Sequence, residues 1–252
     1  MKFLVLAAVY NHRQEWIETL CQSLIDQDHQ DMIHVLVLDD RIKGFDPAVM
    51  CFGGHRTIEI VRLPERAKNL LHKYQYGLDY FKATGNEYDA VMVCDTDDGY
   101  LPDHMSQHAE VLRTNMWSYP EKVYSTYGGT FQTEAAGGRF WASSAYRREA
   151  LDALGGYIGT ALESNPMDPA FDQRFLHRMR EVFGEAGHQA LPTYEYAWGI
   201  THDNHSSGHI DGGVWQYGQI PESPATGPLV PKYNQKTLDV FAMAKVFRGA
   251  SK

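Results

Sequence analysis

The stretch YDAVMVCDTDDGYL, Tyr88 to Leu101, decides how this chain is read. A short apolar run, Ala90 to Cys94, ends abruptly in Asp95, Asp97 and Asp98. About four to eight apolar residues bounded by turn formers mark a strand buried on both faces. Carboxylates this close repel one another, so a cation, backbone N–H donors or water must offset the repulsion. In open α/β sheets ligands bind outside the carboxyl ends of the strands, which is where this cluster is delivered. The plain alternative is an Asp-rich turn that caps the helix beginning near Pro102.

Working upstream, the pattern repeats. Phe3 to Val9 is a continuous apolar run and reads as a buried first strand. Asn11 offers a cap, and Trp16, Leu20 and Leu24 have helical spacing as far as about Gln27. Ile33 to Leu38 is a second buried strand and ends in Asp39 and Asp40. KGFDPAVMCFGGH, Lys43 to His55, reads as a loop because it carries Gly and Pro. Thr57 to Val61 is a short third strand. Ala67 to Phe81 is a helix with Leu70, Leu71, Tyr74, Leu78 and Phe81 along one face. This alternation predicts an α/β fold with a Rossmann-like, mostly parallel central sheet flanked by helices. Tyr10-Asn11, Asp39-Asp40 and Asp95 to Asp98 then converge at one crevice.

Downstream, the Gly-linked runs KVYSTYGGTFQTE and GRFWASSAYR predict a smaller β region. Helices are expected over Arg147 to Leu154, Ala170 to Glu185 and Asn234 to Phe247, with a strand-like run from Gln189 to Thr201. No repeat or low-complexity linker divides the sequence. We therefore expect a single domain over 1–252 in three parts: 1–100, 101–210, and a C-terminal loop and helix (211–252).

The chain has 252 residues, enough for a sizeable core. Its net charge of −9 argues against a broad nucleic-acid surface. Cys21, Cys51 and Cys94 have no metal-type spacing. Cys21 and Cys94 lie in apolar patterns and read as reduced core residues, which suits a cytoplasmic protein. KFLVLAAVY lacks the basic start of a signal peptide, and no apolar run approaches ~20 residues.

Four segments, in order, resemble the GT-A-fold glycosyltransferases of family 2. They are LAAVYNHRQEWIETLCQSLIDQ, HVLVLDD, YDAVMVCDTDDGYLPDHM and DPAFDQRFLHRMRE, and the resemblance covers roughly residues 1 to 210. It implies a metal-dependent, inverting transfer of a sugar from a nucleoside-diphosphate sugar to an acceptor hydroxyl, with 1–100 as the nucleotide-binding half and 101–210 as the acceptor-side half. By this resemblance Tyr10 lies against the base, and Asp39 and Asp40 contact base or ribose. Asp95 and Asp97 serve the metal and the diphosphate, and Asp172 is the catalytic base. Phe171 stands where the family usually has Glu, which leaves Asp168 as a rival base. The resemblance also makes His202, of THDNHSSGH, the histidine that completes the metal shell, with His205 and His209 as alternatives. An imidazole ligand favours Mn²⁺ over Mg²⁺.

Arg66 and Lys68 are candidate cations for the diphosphate, or the polar side of a helix start. Trp141, Tyr146, Trp198, Trp215 and Tyr217 are candidate stacking platforms, or core. The acceptor stays open: a saccharide, a protein, a lipid-linked sugar or a modified DNA base. A nucleotidyltransferase acting on a sugar phosphate is one competing reading, though AVYNHRQ replaces the Gly-rich basic loop it needs. A non-catalytic nucleotide- or sugar-binding module on the same fold is the other.

Overall fold

The computed structural model describes residues 1–9, 14–38, 49–52, 56–65, 67, 70–96, 98–125, 132–135, 144–157, 171–184, 188–191, 196–198 and 230–250. The chain opens with β1 (Phe3–Ala8), α1 (Gln14–Ile25), β2 (Met32–Leu38), β3 (Val49–Phe52), β4 (Arg56–Arg62), α2 (Leu70–Ala83) and β5 (Ala90–Cys94). It continues through β6 (Gly99–Tyr100), α3 (His104–Val111), β7 (Trp117–Pro120), β8 (Lys122–Ser125), β9 (Gln132–Ala135), β10 (Ala145–Arg147) and α4 (Arg148–Ala153). α5 (Phe171–Phe183), β11 (His188–Leu191), β12 (Tyr196–Trp198) and α6 (Gln235–Ala250) follow.

Among the described residues eight strands form the main sheet, in the order β11-β7-β10-β5-β1-β2-β4-β3. β5, β1, β2 and β4 run parallel, while β10 and β3 are antiparallel to their neighbours. β1 is central and buried along its whole length. Phe3, Val5 and Ala7 pack on one face with Ile17, Leu20 and Leu24 of α1 and Met105 of α3. Leu4, Leu6 and Ala8 pack on the other with Leu71, Tyr74 and Leu78 of α2 and with Leu151 and Phe175 of α4 and α5. Each such aliphatic side chain contributes roughly 1.5–3 kcal/mol by leaving water. α2 lies close to the sheet at Gly77, where an added Cβ would stand 2.8 Å from Val37 Cγ2.

A second sheet of four strands has the order β6-β12-β8-β9. The chain passes from the large sheet to the small one at Glu121, between β7 and β8. α6 closes the described structure. Asn234 caps it by accepting from the Thr237 N–H at 2.8 Å, and Val240 and Ala244 pack with Leu101 and Tyr124. Glu18 and Thr19 of α1 hold the approach to it, accepting from the N–H groups of Val230 and Asn234.

Three sequence expectations need correction. Val49 to Phe52 is a strand, not part of a loop, because this apolar run finds the antiparallel edge of β4. The run from Gln189 to Thr201 is two strands in different sheets: β11 pairs with β7, and β12 with β6 and β8. Pro192, which has no N–H to give a ladder, follows β11 directly. The helix after the acidic turn begins at His104 and its N-cap is Asp103, so Asp95 and Asp98 do not cap it.

Candidate active site at the carboxyl ends of the central strands

From β1 the chain builds outward through β2, β4 and β3, then returns to place β5 on the other flank of β1. The strand order therefore reverses between β1 and β5, and the crevice outside that reversal is the ligand position of an open α/β sheet. Ala7 pairs with Cys94 and Ala8 with Val37, so β5, β1 and β2 end at the same edge. Val9, Leu38 and Cys94 are the last residues before the three polar clusters, and all three strands point the same way.

Asp95 emerges half-buried at this edge and is held from both faces of the sheet. From α2, the Tyr74 hydroxyl donates to Asp95 Oδ1 at 3.3 Å and to the Cys94 carbonyl at 3.4 Å. Both contacts are longer than the ~2.8 Å usual for O–H···O, as expected for one hydroxyl shared between two acceptors. From the small sheet, Tyr100 Oη accepts the Asp95 N–H at 2.9 Å. Burial and the neighbouring Asp95 charge push the Tyr74 phenol well above its usual range, so it stays a donor. Burial likewise raises the Cys94 thiol, which keeps it unreactive. Thr96 and Asp98 are fully buried beside this turn. Next to Tyr74, the fully buried Lys73 donates its ammonium to the Val9 carbonyl at the end of β1.

An aromatic column runs from this edge toward α5. Tyr74 meets Tyr157 at a ring-centroid distance of 6.1 Å, and Tyr157 meets Phe175 of α5 at 5.3 Å. The Tyr157 N–H is fixed by Gln75 Oε1 at 2.7 Å. Asp172 is the second residue of α5, one turn before Phe175. The helix that carries the expected base is thereby packed, through aromatic rings, against the helix that holds Asp95.

Of the residues singled out from sequence, Asp95 directly follows β5 and Asp172 lies in the first turn of its helix. Tyr10, Asp39, Asp40, Arg66, Lys68, Asp97, Asp168, His202, His205 and His209 lie outside the described residues, as do Trp141, Trp215 and Tyr217. Among the described residues no group of three or more His, Cys, Asp or Glu is disposed to hold a metal ion. Tyr146 is not a stacking platform: it is fully buried, parallel to Trp117 and edge-on to Phe175. Cys21 and Cys94 are buried free thiols, as the apolar patterning predicts. No helix among the described residues is long and apolar enough to cross a membrane.

Sequence reasoning missed Lys73, the hydroxyl of Tyr74, and Tyr100. Tyr74 reads as one more apolar position on its helix face, and a lone lysine reads as solvated. The one signal available was the adjacency of Lys73 to two buried positions, Leu71 and Tyr74.

No family model matches the chain, and no curated protein matches it in sequence. Solved structures do match. The crystal structure of S. aureus TarS 1–349 is similar at a TM-score of 0.57 and 16% identity, over 78% of this chain and 60% of that one. The same protein in complex with UDP gives 0.55 at 16% identity, over 78% and 60%. Its complex with UDP-GlcNAc gives 0.53 at 15% identity, over 78% and 58%. The chain thus spans about three-fifths of the length of these structures. At this identity the likeness is one of architecture, and the architecture is the GT-A fold.

Proposed function

We propose that the chain is a glycosyltransferase that moves a sugar from a nucleoside-diphosphate sugar to an acceptor hydroxyl. The observation that carries this reading is the placement of Asp95. It stands at the switch point between β1 and β5, in a fold shared with a protein solved with UDP and with UDP-GlcNAc.

In this reading the nucleoside lies over the ends of β1 and β2, between Tyr10 and the Asp39-Asp40 pair, and Arg66 faces the diphosphate. Asp172 accepts the proton of the acceptor hydroxyl. The acceptor oxygen bonds to the anomeric carbon as the bond to the diphosphate oxygen breaks, and the diphosphate leaves with the electron pair. Attack from the opposite side inverts the anomeric centre. A positioned base of this kind is worth about 10²–10⁴ in rate, and orientation of the two substrates adds to it.

The carboxylate oxygens of Asp95 and Asp97 suit a hard divalent cation, and the His202 imidazole would tilt the preference from Mg²⁺ to Mn²⁺. Such an ion neutralises charge on a leaving diphosphate. The experiment is a panel of nucleotide sugars with and without MnCl₂, scored for slow donor hydrolysis without acceptor. Release of free nucleoside diphosphate from one donor, abolished by Asp172→Asn or by chelation, supports the reading. No hydrolysis from any donor removes it.

A further inference from the structure

We infer that Lys73 and Tyr74, consecutive residues of α2, are positioning residues that fix both sides of the switch point and so set the affinity for the nucleotide. The inference rests on the nucleotide-sugar reading above and adds residues to it that neither the sequence motifs nor the fold likeness point to.

Consecutive helical residues lie about 100° apart, so a neighbouring pair reaches two different targets. Here those targets are the ends of two adjacent strands. Lys73 Nζ donates to the carbonyl of Val9, the residue before Tyr10. The Tyr74 hydroxyl donates to the Cys94 carbonyl and to Asp95 Oδ1. Val9 and Asp95 directly follow β1 and β5, the strands between which the order reverses. A single turn of helix thus holds the carbonyl of Val9, at the end of β1, and the carboxylate that opens the acidic turn.

Both side chains are fully buried, although an aliphatic residue would fill the same space without the cost of desolvating an ammonium. Gly77, one turn on, lets α2 approach close enough for them to reach, because an added Cβ would stand 2.8 Å from Val37 Cγ2 and 3.1 Å from Leu6 Cδ2. Tyr100 closes the arrangement from the opposite face through the Asp95 N–H. Held in this way, Asp95 has little freedom left to lose when a ligand arrives, and pre-organisation of this kind appears as affinity.

The test is calorimetric titration of the whole chain with UDP in MnCl₂, well below the melting temperature. Wild type is compared with Tyr74→Phe, Lys73→Met and Tyr88→Phe. Tyr88 supplies the control: its hydroxyl is also buried, and it lies at the opposite end of β5. The expected result is a Kd raised about tenfold or more in Tyr74→Phe and in Lys73→Met, with Tyr88→Phe equal to wild type. In donor hydrolysis the same two variants should raise KM and leave kcat within about twofold. A merely structural role would lower the melting temperature and leave Kd and KM unchanged, which overturns the inference. If Tyr74→Phe loses its cooperative melt, Tyr100→Phe reads the same quantity from the other face, and an unchanged Kd there also overturns it. Wild-type binding with unaltered variants refutes the positioning role alone. No binding of UDP by wild type refutes the nucleotide reading and the positioning role with it.

Discussion

His34 on β2 gives the chain a built-in acid sensitivity that one substitution should remove. It pairs in register with Val5 and Ile58. It is buried, and neither ring nitrogen has a hydrogen-bond partner among the described residues. Desolvation lowers its pKa from 6.5 to about 3. Above pH 6.5 the ring is neutral in both the folded and the unfolded chain, and no linkage arises. Below pH 6.5 the unfolded chain takes up a proton that the folded chain refuses, so stability falls with pH until about pH 3. The slope approaches ~1.4 kcal/mol per pH unit, which amounts to roughly 2 kcal/mol between pH 7 and pH 5. His34→Leu removes the titrating group and fills similar space. Urea unfolding of both proteins at pH 7 and pH 5 measures the effect, because the other ionisable groups cancel in the difference. The stability gap between the variant and wild type should widen by ~2 kcal/mol in favour of the variant at pH 5. Parallel pH curves would refute the reasoning, since they would mean that His34 is hydrated or bonded in solution.

Gly77→Ala should destabilise by about 1–3 kcal/mol in thermal melts, because its methyl meets side chains of two adjacent strands; an unchanged melting temperature would mean that α2 sits farther from the sheet. Asp172→Asn should lower kcat by ~10²–10⁴-fold while leaving nucleotide affinity intact, as for a proton acceptor that acts in the transition state. Should Asp168→Asn abolish turnover while Asp172→Asn keeps it, the base lies upstream of α5. His202→Ala should weaken Mn²⁺ binding in titrations where His209→Ala does not, and equal effects would assign the metal shell to another histidine.

The central sheet was legible because β1, β2 and β5 are apolar runs that end in polar residues, a pattern set by burial on both faces and exposure at one end. That pattern also located Asp95. β3 was hidden because Val49 to Phe52 lies between Pro47 and the Gly53-Gly54 pair, and punctuation of that kind outweighs a four-residue run. Local apolarity could not divide the Gln189 to Thr201 run, because membership of one sheet or the other is decided by partners far away in the chain. The switch-point contacts were illegible for a similar reason. The target of Lys73 is a carbonyl 64 residues distant, and that of Tyr74 is 21 distant. No periodicity within α2 encodes either.

In the proposed function, the crevice between the ends of β1 and β5 binds a nucleoside diphosphate through the acidic turn. The most direct measurement is the melting temperature of the chain with UDP, taken with MnCl₂, with EDTA and in Asp97→Asn. At ~100-fold excess over Kd the ligand should add about 2.7 kcal/mol. This stabilisation is expected with MnCl₂ and should be lost with EDTA and in Asp97→Asn. An equal shift in EDTA or in Asp97→Asn, or no shift with UDP under any condition, would contradict that reading.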